Sequence, residues 1–429
     1  MTPSSVDFHI AFEDNVSPNS TRNAMSKITL KPCPKAYILE THRHRPPDST
    51  LHFVEGMREL LGMRDFQDST HIDRTGIPVF TCYRIRPDNS KTFHTGKGAS
   101  KIQAQVSLTV ESIERYSSEY RDEYREKITH GSFSDLRKQF NVLDPRDLVL
   151  SPYSEYMPES PIHWIWGHDI ARDKEILVPA CEVFHPYHLD DISVLHTHTN
   201  GLAAGNTMEE AVFHAMTEVI ERDAWSIAKY NRLDGDALYI EDVPENRFLL
   251  DIVEKFEQAE IHVVAKDITS DIGVPVIAAF SRDMVHENMM VIDGFGSHLD
   301  PKVAMARALM ELATTRALFI MKHGQEGLRE TSLAYLDGHL EMEDPRFYAS
   351  QEKGLAEMEV GYSQDILEDI NTALKKLRAR GLDRTIVVDL SRKETGIPTV
   401  KVIIPGTETY CFDRGRRGDR LLRDVEKGG

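Results

Sequence analysis

Apolar residues recur along this chain with two periods, and their alternation sets the expected elements. Three stretches share one pattern: DRTGIPVFTCYRI from Asp73, SDIGVPVIAAFSR from Ser270 and ETGIPTVKVIIPG from Glu394. In each, Gly-Ile/Val-Pro runs into β-branched and aromatic residues, which predicts a turn entering a strand. Proline at the entry keeps its missing N–H out of the ladder interior. Further strands are expected over 261–265, 288–293 and 385–390. Helical spacing covers about 101–119, 208–230, 246–259, 301–323 and 362–380. Strands and helices therefore interleave, giving a mixed α/β (α+β) protein of repeated strand–helix units, with antiparallel sheet as compatible as parallel. Residues 1–25 read as a mobile tail, and the polar stretch 324–355 as a surface excursion. No sharp linker divides the rest. Residues 26–420 are expected to form one domain with an N-terminal lobe (26–95), a core (96–323) and a C-terminal lobe (324–420), followed by a tail over 421–429.

Two of the helical stretches superpose. GKGASKIQAQVSLTVESIERYS, from Gly96, lies on AAGNTMEEAVFHAMTEVIERDA, from Ala203, at a constant offset of 107. Gly98 falls on Gly205, Gln103 on Glu210, Ser107 on His214, Glu111 on Glu218, Glu114 on Glu221 and Arg115 on Arg222, and both segments read E-x-I-E-R. Steps of three and four place these side chains along one helix face. Two carboxylates three residues apart repel by about 0.2–0.5 kcal/mol on an exposed helix, so matched pairs call for a cation or a proton. Hard oxygen ligands without cysteine favour Mg²⁺, which is usually held by a few carboxylates together with nucleotide phosphates, and that points to ATP. A single E-x-x-E is more often a solvated face; two copies in register, each followed by Arg, weigh against that. Asn206 also fits a helix N-cap with Glu209 in a capping box.

A third, degraded copy starts at Gly294 with GFGSHLDPKVAMARALMELATTRAL. It keeps Glu311 and adds Arg307 and Arg316. Arg307 suits a nucleotide tail that Glu311 orients or shares with a metal; the plainer alternative is a surface ion pair between the two. Lys97 in the GKG loop and Asn200-Gly201 before AAGN offer phosphate contacts at helix starts. Neither GxxxxGK[ST] nor GxGxxG occurs, so a nucleotide site here implies a fold outside the common phosphate-loop class.

Composition narrows the function classes. Of 429 residues, 51 are Lys or Arg and 69 Asp or Glu, a net charge of −18. That argues against a protein held on nucleic acid or acidic lipid by its overall charge. With 40% hydrophobic and 28% charged residues the chain is ordinary globular material. Four scattered cysteines, Cys33, Cys82, Cys181 and Cys411, form no ligand spacing and are expected to be packed thiols in a reducing compartment. The first residues lack a basic start and an apolar core, and no apolar run approaches a membrane span, so a cytoplasmic location is expected.

With these residues in view, S-x-x-x-E-x-x-E-R at 107–115, NGLAAGNTMEEA at 200–211 leading to EVIER, and RALMELATTR at 307–316 resemble the signatures of YcaO proteins, in order and spacing, over roughly residues 40–420. The resemblance implies an ATP- and Mg²⁺-dependent enzyme that phosphorylates a peptide backbone amide oxygen, after which a nucleophile replaces that oxygen. It implies metal-binding, catalytic roles for Glu111, Glu114, Glu218 and Glu221. It implies nucleotide contacts for Ser107, Asn206, Glu210, Arg222, Arg307 and Glu311, with Lys97, Arg115 and His214 beside them; His214 stands where many relatives have Gln. Arg45 and Ser49 or Thr50 in HRHRPPDST are candidates for early contacts.

The chain has no Pro after Pro405, unlike azoline-forming members with a Pro-rich tail. Its ending and THRHRPPDSTL resemble the branch linked to TfuA-type partners, including the methanogenesis-marker proteins that install a thioamide in methyl-coenzyme M reductase. A peptide or protein substrate, a TfuA-like partner or an external sulfide donor, and a homodimer are expected on this basis. Azoline formation and an accessory role in ribosomal-protein methylthiolation are the alternatives. His185, His188, His196 and His198 invite zinc as a competing reading. Trp164 and Trp166 are expected in the core. Arg414, Arg416, Arg417 and Arg420 form either a solvated basic terminus or a contact for an acidic partner.

Overall fold

The computed structural model describes residues 27–187, 189, 194, 197–233, 235–285, 291–324 and 352–423. The expected tail over 1–25, and nearly all of the excursion over 324–355, lie outside these residues. At the far end of that stretch Glu352–Gly354 forms a strand.

The architecture is mixed α/β, built on three main sheets. Met63–Asp68, Val79–Ile85 and Lys91–Lys97 form an antiparallel three-stranded sheet. Five strands run Ile292–Ser297, Val276–Asp283, Ile261–Asp267, Asp236–Tyr239 and Glu352–Gly354, and only the last pair is parallel. The third sheet runs Ile128–Ser132, Pro161–Asp169, Ile386–Asp389, Thr399–Ile403 and Leu202–Ala204, with Lys174–Pro179 also paired to Pro161–Asp169. The strand Lys91–Lys97 crosses residue 95, where a lobe boundary is expected from sequence. Helices occupy Lys101–Ser118, Met208–Asn231, Arg247–Gln258, Pro301–His323 and Ile366–Arg378.

One unit occurs three times. A glycine with positive φ (Gly76 at 62°, Gly273 at 75°, Gly396 at 60°) turns the chain into a Pro and a strand. Its antiparallel partner strand then leads into a long helix. The registers agree: Val79 opposes Lys97, Val276 opposes Ser297, and Thr399 opposes Ala204. In the middle unit the leading strand, Thr399–Ile403, therefore comes from near the end of the chain. The helix caps keep the same spacing. Ser100, Thr207 and Asp300 each accept a backbone N–H with their side chains. This corrects the expectation that Asn206 caps the second helix; Thr207 does so, and Asn206 is left for other contacts.

The first and third helices lie against their strands at backbone distance, and in the middle unit Ala203 takes the matching place. A Cβ on Gly96 would meet the Ala104 carbonyl oxygen at 2.1 Å, and one on Gly296 would meet that of Ala304 at 2.2 Å. Gly205 is closed in the same way by Ala211 N at 2.5 Å. Four apolar clusters back these units, including one of Ala211, Met216 and Ile220 against Ile370 and Val402, and another of Leu309 and Leu312 against Ile277 and Phe256.

Trp164 is fully buried and donates from Nε1 to Gly131 O at 2.8 Å, while Trp166 packs on Phe140. All four cysteines are buried. The basic C-terminal segment divides: Arg414 and Arg417 are exposed, whereas Arg416 and Arg420 depart from both expectations. Arg416 donates to the carbonyls of Leu148 and Val149, and Arg420 pairs with Asp223 at 2.7 Å and Asp271 at 2.7 Å. Both are 4% exposed, so they bind the segment to the body instead of facing solvent or a partner. Leu421, placed by the sequence in a tail, is fully buried in the short helix Arg420–Arg423. Among the described residues no helix is long and apolar enough to cross a membrane.

Because Gly296 has no room for a side chain, Gly296→Ala should destabilise the protein by about 1–3 kcal/mol through overpacking. Thermal unfolding with and without the substitution measures this, and an unchanged midpoint would contradict the close helix–strand contact.

Candidate active site

The three helices present their polar faces to one another. The offset of 107 continues as an offset of 93, so Ser107, His214 and Arg307 are equivalent, as are Glu111, Glu218 and Glu311. Thr314 takes the place of Glu114 and Glu221. The ion pair between Arg307 and Glu311, the plainer alternative for this helix, does not form. Arg307 Nη1 donates to His214 Nδ1 at 3.0 Å instead, and Glu311 receives Lys97 at 2.6 Å and Arg222 at 3.9 Å. Residues from all three units thus interlock.

Most of the acids are engaged by neighbouring groups. Glu111 is 3.5 Å from His94 Nδ1 and 3.7 Å from Arg115. Glu114 accepts the Ala204 N–H at 2.9 Å, which ties the first helix to the strand of the second unit. Glu221, 3% exposed, is 3.6 Å from Arg222. Glu210 accepts from Asn206 Nδ2 at 3.1 Å and meets Arg43 at 3.2 Å, while Thr50 Oγ1 donates to Asn206 Oδ1 at 2.9 Å. The HRHRPPDST segment therefore reaches the cluster through Arg43 and Thr50. Arg43 is not singled out by the sequence reading, since its signal is one cation among several in that run. His94 and Lys401, each near one of the acids, are missed for a similar reason: a lone basic residue in a strand carries no local pattern.

The electrostatics divide the acids into two kinds. Burial pushes Glu114 up to about 8, with Glu111 and Glu218 adding repulsion that Arg115 and the Ala204 N–H only partly offset. Burial likewise pushes Glu221 up to about 6, against Arg222 and with Glu311 and Glu218. Glu218 is raised by burial against Arg222 and Arg115. For Glu111 and Glu311 burial acts in the same sense but is outweighed, by His94, Arg115 and Lys97 in one case and by Lys97, Arg222 and Arg307 in the other, so both lie below the ordinary range. His214 is held well below its ordinary value by burial, Arg307, Arg43 and Lys97, and is a neutral imidazole accepting from Arg307.

Among the described residues no group of three or more His, Cys, Asp and Glu converges closely enough to hold a metal ion unaided. The acids surround a shared region with Lys97, Arg115, Arg222 and Arg307 set among them. That donor set fits Mg²⁺ held jointly by carboxylates and phosphate oxygens, with the guanidinium and ammonium groups free to meet the remaining phosphate charge. The raised values of Glu114 and Glu221 mark where positive charge is short. Of the histidine run, His185 Nδ1 lies 3.0 Å from Thr197 Oγ1 and His198 Nε2 lies 3.4 Å from Glu182. His188 and His196 lie outside the described residues.

Known proteins resemble this chain along most of its length. The family model described as YcaO cyclodehydratase, ATP- and Mg²⁺-binding, matches residues 95–408. A protein of Methanothermobacter thermautotrophicus is 35% identical over 389 residues, covering 88% of this chain and 98% of its own length. A protein from the tfuA 3′ region of Rhizobium leguminosarum bv. trifolii is 26% identical over 398 residues, covering 83% of this chain and 87% of its own. The structure of YcaO from Methanopyrus kandleri bound with AMPPCP and Mg²⁺ superposes with a TM-score of 0.74 at 27% identity, covering 90% of this chain and 98% of that one. The chain belongs to the YcaO family.

Proposed function

We propose that this protein uses ATP and Mg²⁺ to phosphorylate the oxygen of a peptide backbone amide and then exchanges that oxygen for sulfur, giving a thioamide, with a glycine of methyl-coenzyme M reductase as the target. The observation that carries the first half is the mixed cluster itself: matched carboxylate pairs on two helices, interleaved with Lys97, Arg222 and Arg307. An amide oxygen is a weak nucleophile, so the work of the site is positioning and charge neutralisation. When bound, Mg²⁺ supplies charge neutralisation of the phosphates. Glu111, Glu114, Glu218 and Glu221 would hold it. Arg307, Arg222, Arg115 and Lys97 would fix phosphate oxygens, and Ser107, Asn206, Glu210, His214 and Glu311 would orient the nucleotide and these cations. The AMPPCP and Mg²⁺ of the Methanopyrus kandleri relative support this use of the cluster.

The sulfur branch rests on the motif resemblance and on the relative from a tfuA 3′ region. All four cysteines are buried, and burial pushes Cys411, the one closest to Arg222, up to about 11, which makes it a poor internal nucleophile. The sulfur then comes from outside, by way of a TfuA-like partner or free sulfide. A cytoplasmic homodimer is part of the same reading.

Three outcomes test it. Glu114 and Glu221 hold protons that a metal must displace, so Mg²⁺ affinity in the presence of AMPPCP should strengthen as the pH rises from about 6 to about 8, with protons released to the buffer. Calorimetry in buffers of different ionisation enthalpy reads both, and a pH-independent affinity without proton release would contradict the assignment. The same raised acids lower the stability of the metal-free protein as pH climbs from the ordinary carboxylate range through those values. Glu218→Gln should abolish ATP turnover with the fold intact, while Arg307→Lys, which keeps charge but loses the planar fork, should weaken AMPPCP binding by about tenfold or more. An unchanged dissociation constant would remove Arg307 from the site. With peptide, ATP, Mg²⁺ and sulfide, the product should gain about 16 Da by simple atomic masses, oxygen giving way to sulfur in a phosphoryl-activated amide. A loss of water from the peptide would place the protein in the azoline-forming branch instead.

A further inference from the structure

Beside the acid cluster lies a second buried polar group that nucleotide binding does not use. Glu182, in the short helix Ala180–Val183, is 7% exposed and stands 3.4 Å from His198 Nε2 and 3.7 Å from Lys401 Nζ. Lys401 is fully buried in the strand Thr399–Ile403 and donates to the His198 carbonyl at 3.2 Å. The ring of His198 leans on Phe412, with centroids 5.2 Å apart. Burial raises the Glu182 carboxyl, but the His198 N–H facing it and the cations Lys401 and Arg416 outweigh burial and hold it down to about 2, so it is ionised. For His198 burial dominates over Glu182, and Lys401 and Arg416 act with it, leaving a neutral imidazole.

A carboxylate beside Nε2 favours the tautomer with the proton there and leaves the Nδ1 lone pair free. Nε2 faces Glu182 Oε2 at 3.4 Å, while Nδ1 has no hydrogen-bond partner among the described residues. Leaving a buried polar atom unpaired costs about 1–3 kcal/mol, which a purely structural pair would be expected to avoid. The sheet register puts this group next to the acids. Lys401 opposes Leu202, and two residues further along the pair Thr399 opposes Ala204, whose N–H binds Glu114. Lys401 also lies within electrostatic reach of Glu218.

We propose that His198 accepts the proton of the incoming sulfur nucleophile, with Glu182 and Lys401 as its positioning residues. The assignment rests on the amide-phosphorylation reading above. Phosphorylation of the amide oxygen yields an O-phosphorylated imidate and releases the amide proton. Hydrogen sulfide attacks the imidate carbon through sulfur and gives one proton to His198 Nδ1. The carbon–oxygen bond then breaks, phosphate leaves with the bonding pair and the second S–H proton, and the imidazolium returns its proton to nitrogen. The products are a thioamide and hydrogen phosphate, with no oxidant or reductant consumed. The charged and titratable groups around His198 are Glu182, Lys401, Arg416 and His185, and the first three set its protonation.

The test uses the full-length protein, a synthetic peptide carrying the target glycine of methyl-coenzyme M reductase, sodium sulfide, ATP and Mg²⁺. His198→Gln should lower thioamide formation by about 100-fold or more, with AMPPCP binding unchanged. Added imidazole should restore part of the rate to His198→Gly, and Glu182→Gln should shift the acidic limb of the pH–rate profile. A full rate in His198→Gln, loss of AMPPCP binding along with activity, or the absence of imidazole rescue would overturn the assignment. Wild-type protein that leaves the peptide unmodified would defeat the amide-phosphorylation reading instead. Independently of any substrate, ¹⁵N spectra of labelled histidine should show His198 with Nδ1 unprotonated, changing in Glu182→Gln; a protonated Nδ1 in the wild type would overturn the proposal whatever the peptide does.

Discussion

Three helices are seated alike on their strands, two of them with nothing but glycine between the backbones, and the position of the acids follows from that seating. Gly96 and Gly296 fix how far the first and third helices approach their strands, while the middle unit has Ala203 at the matching place and Gly205, just past the strand, closes on the start of its helix. Equivalent residues then arrive at equivalent heights. Glu111, Glu218 and Glu311 face a shared region because their helices are seated alike, and a side chain at any of these glycines would lift its helix out of the arrangement. The caps at Ser100, Thr207 and Asp300 reinforce the register at the helix starts.

The price of that convergence is crowding of like charge in a partly desolvated place. Cations from other units meet part of it, with Lys97 and Arg222 on Glu311 and Arg43 on Glu210. The remainder shows in the raised values of Glu114 and Glu221. A cluster of this kind is poised for a polyanion that brings its own divalent cation: the acids gain positive charge as the basic groups gain negative charge, and both imbalances fall together.

Much of this was readable from local pattern. The Gly-Ile/Val-Pro turns, the strands after them and the five long helices follow from periodicity and turn chemistry, and the 107-residue offset exposes the acid pairs before any fold is known. What stayed hidden depends on long-range pairing. The stretch from Glu394 shows the same motif as its two counterparts, yet nothing local says that its strand completes the unit containing Leu202–Ala204. Arg43 meets Glu210 across 167 residues of chain, and Arg420 meets Asp223 across 197. Such contacts have no periodic signature, so the first leaves no sign in the sequence, and the end carrying Arg420 stays readable as a solvated terminus or a partner contact. The cap at Thr207 is a nearer miss: Asn206 and Thr207 are both good capping residues, and only the alignment with Ser100 distinguishes them.

The central claim is that the cluster directs the γ-phosphate of ATP onto a peptide amide oxygen. Its most direct test follows that oxygen. With ¹⁸O in the target amide, the inorganic phosphate formed during peptide modification should carry the label, because the carbon–oxygen bond is the one that breaks after phosphoryl transfer to oxygen. Unlabelled phosphate from a reaction that does modify the peptide would contradict the account.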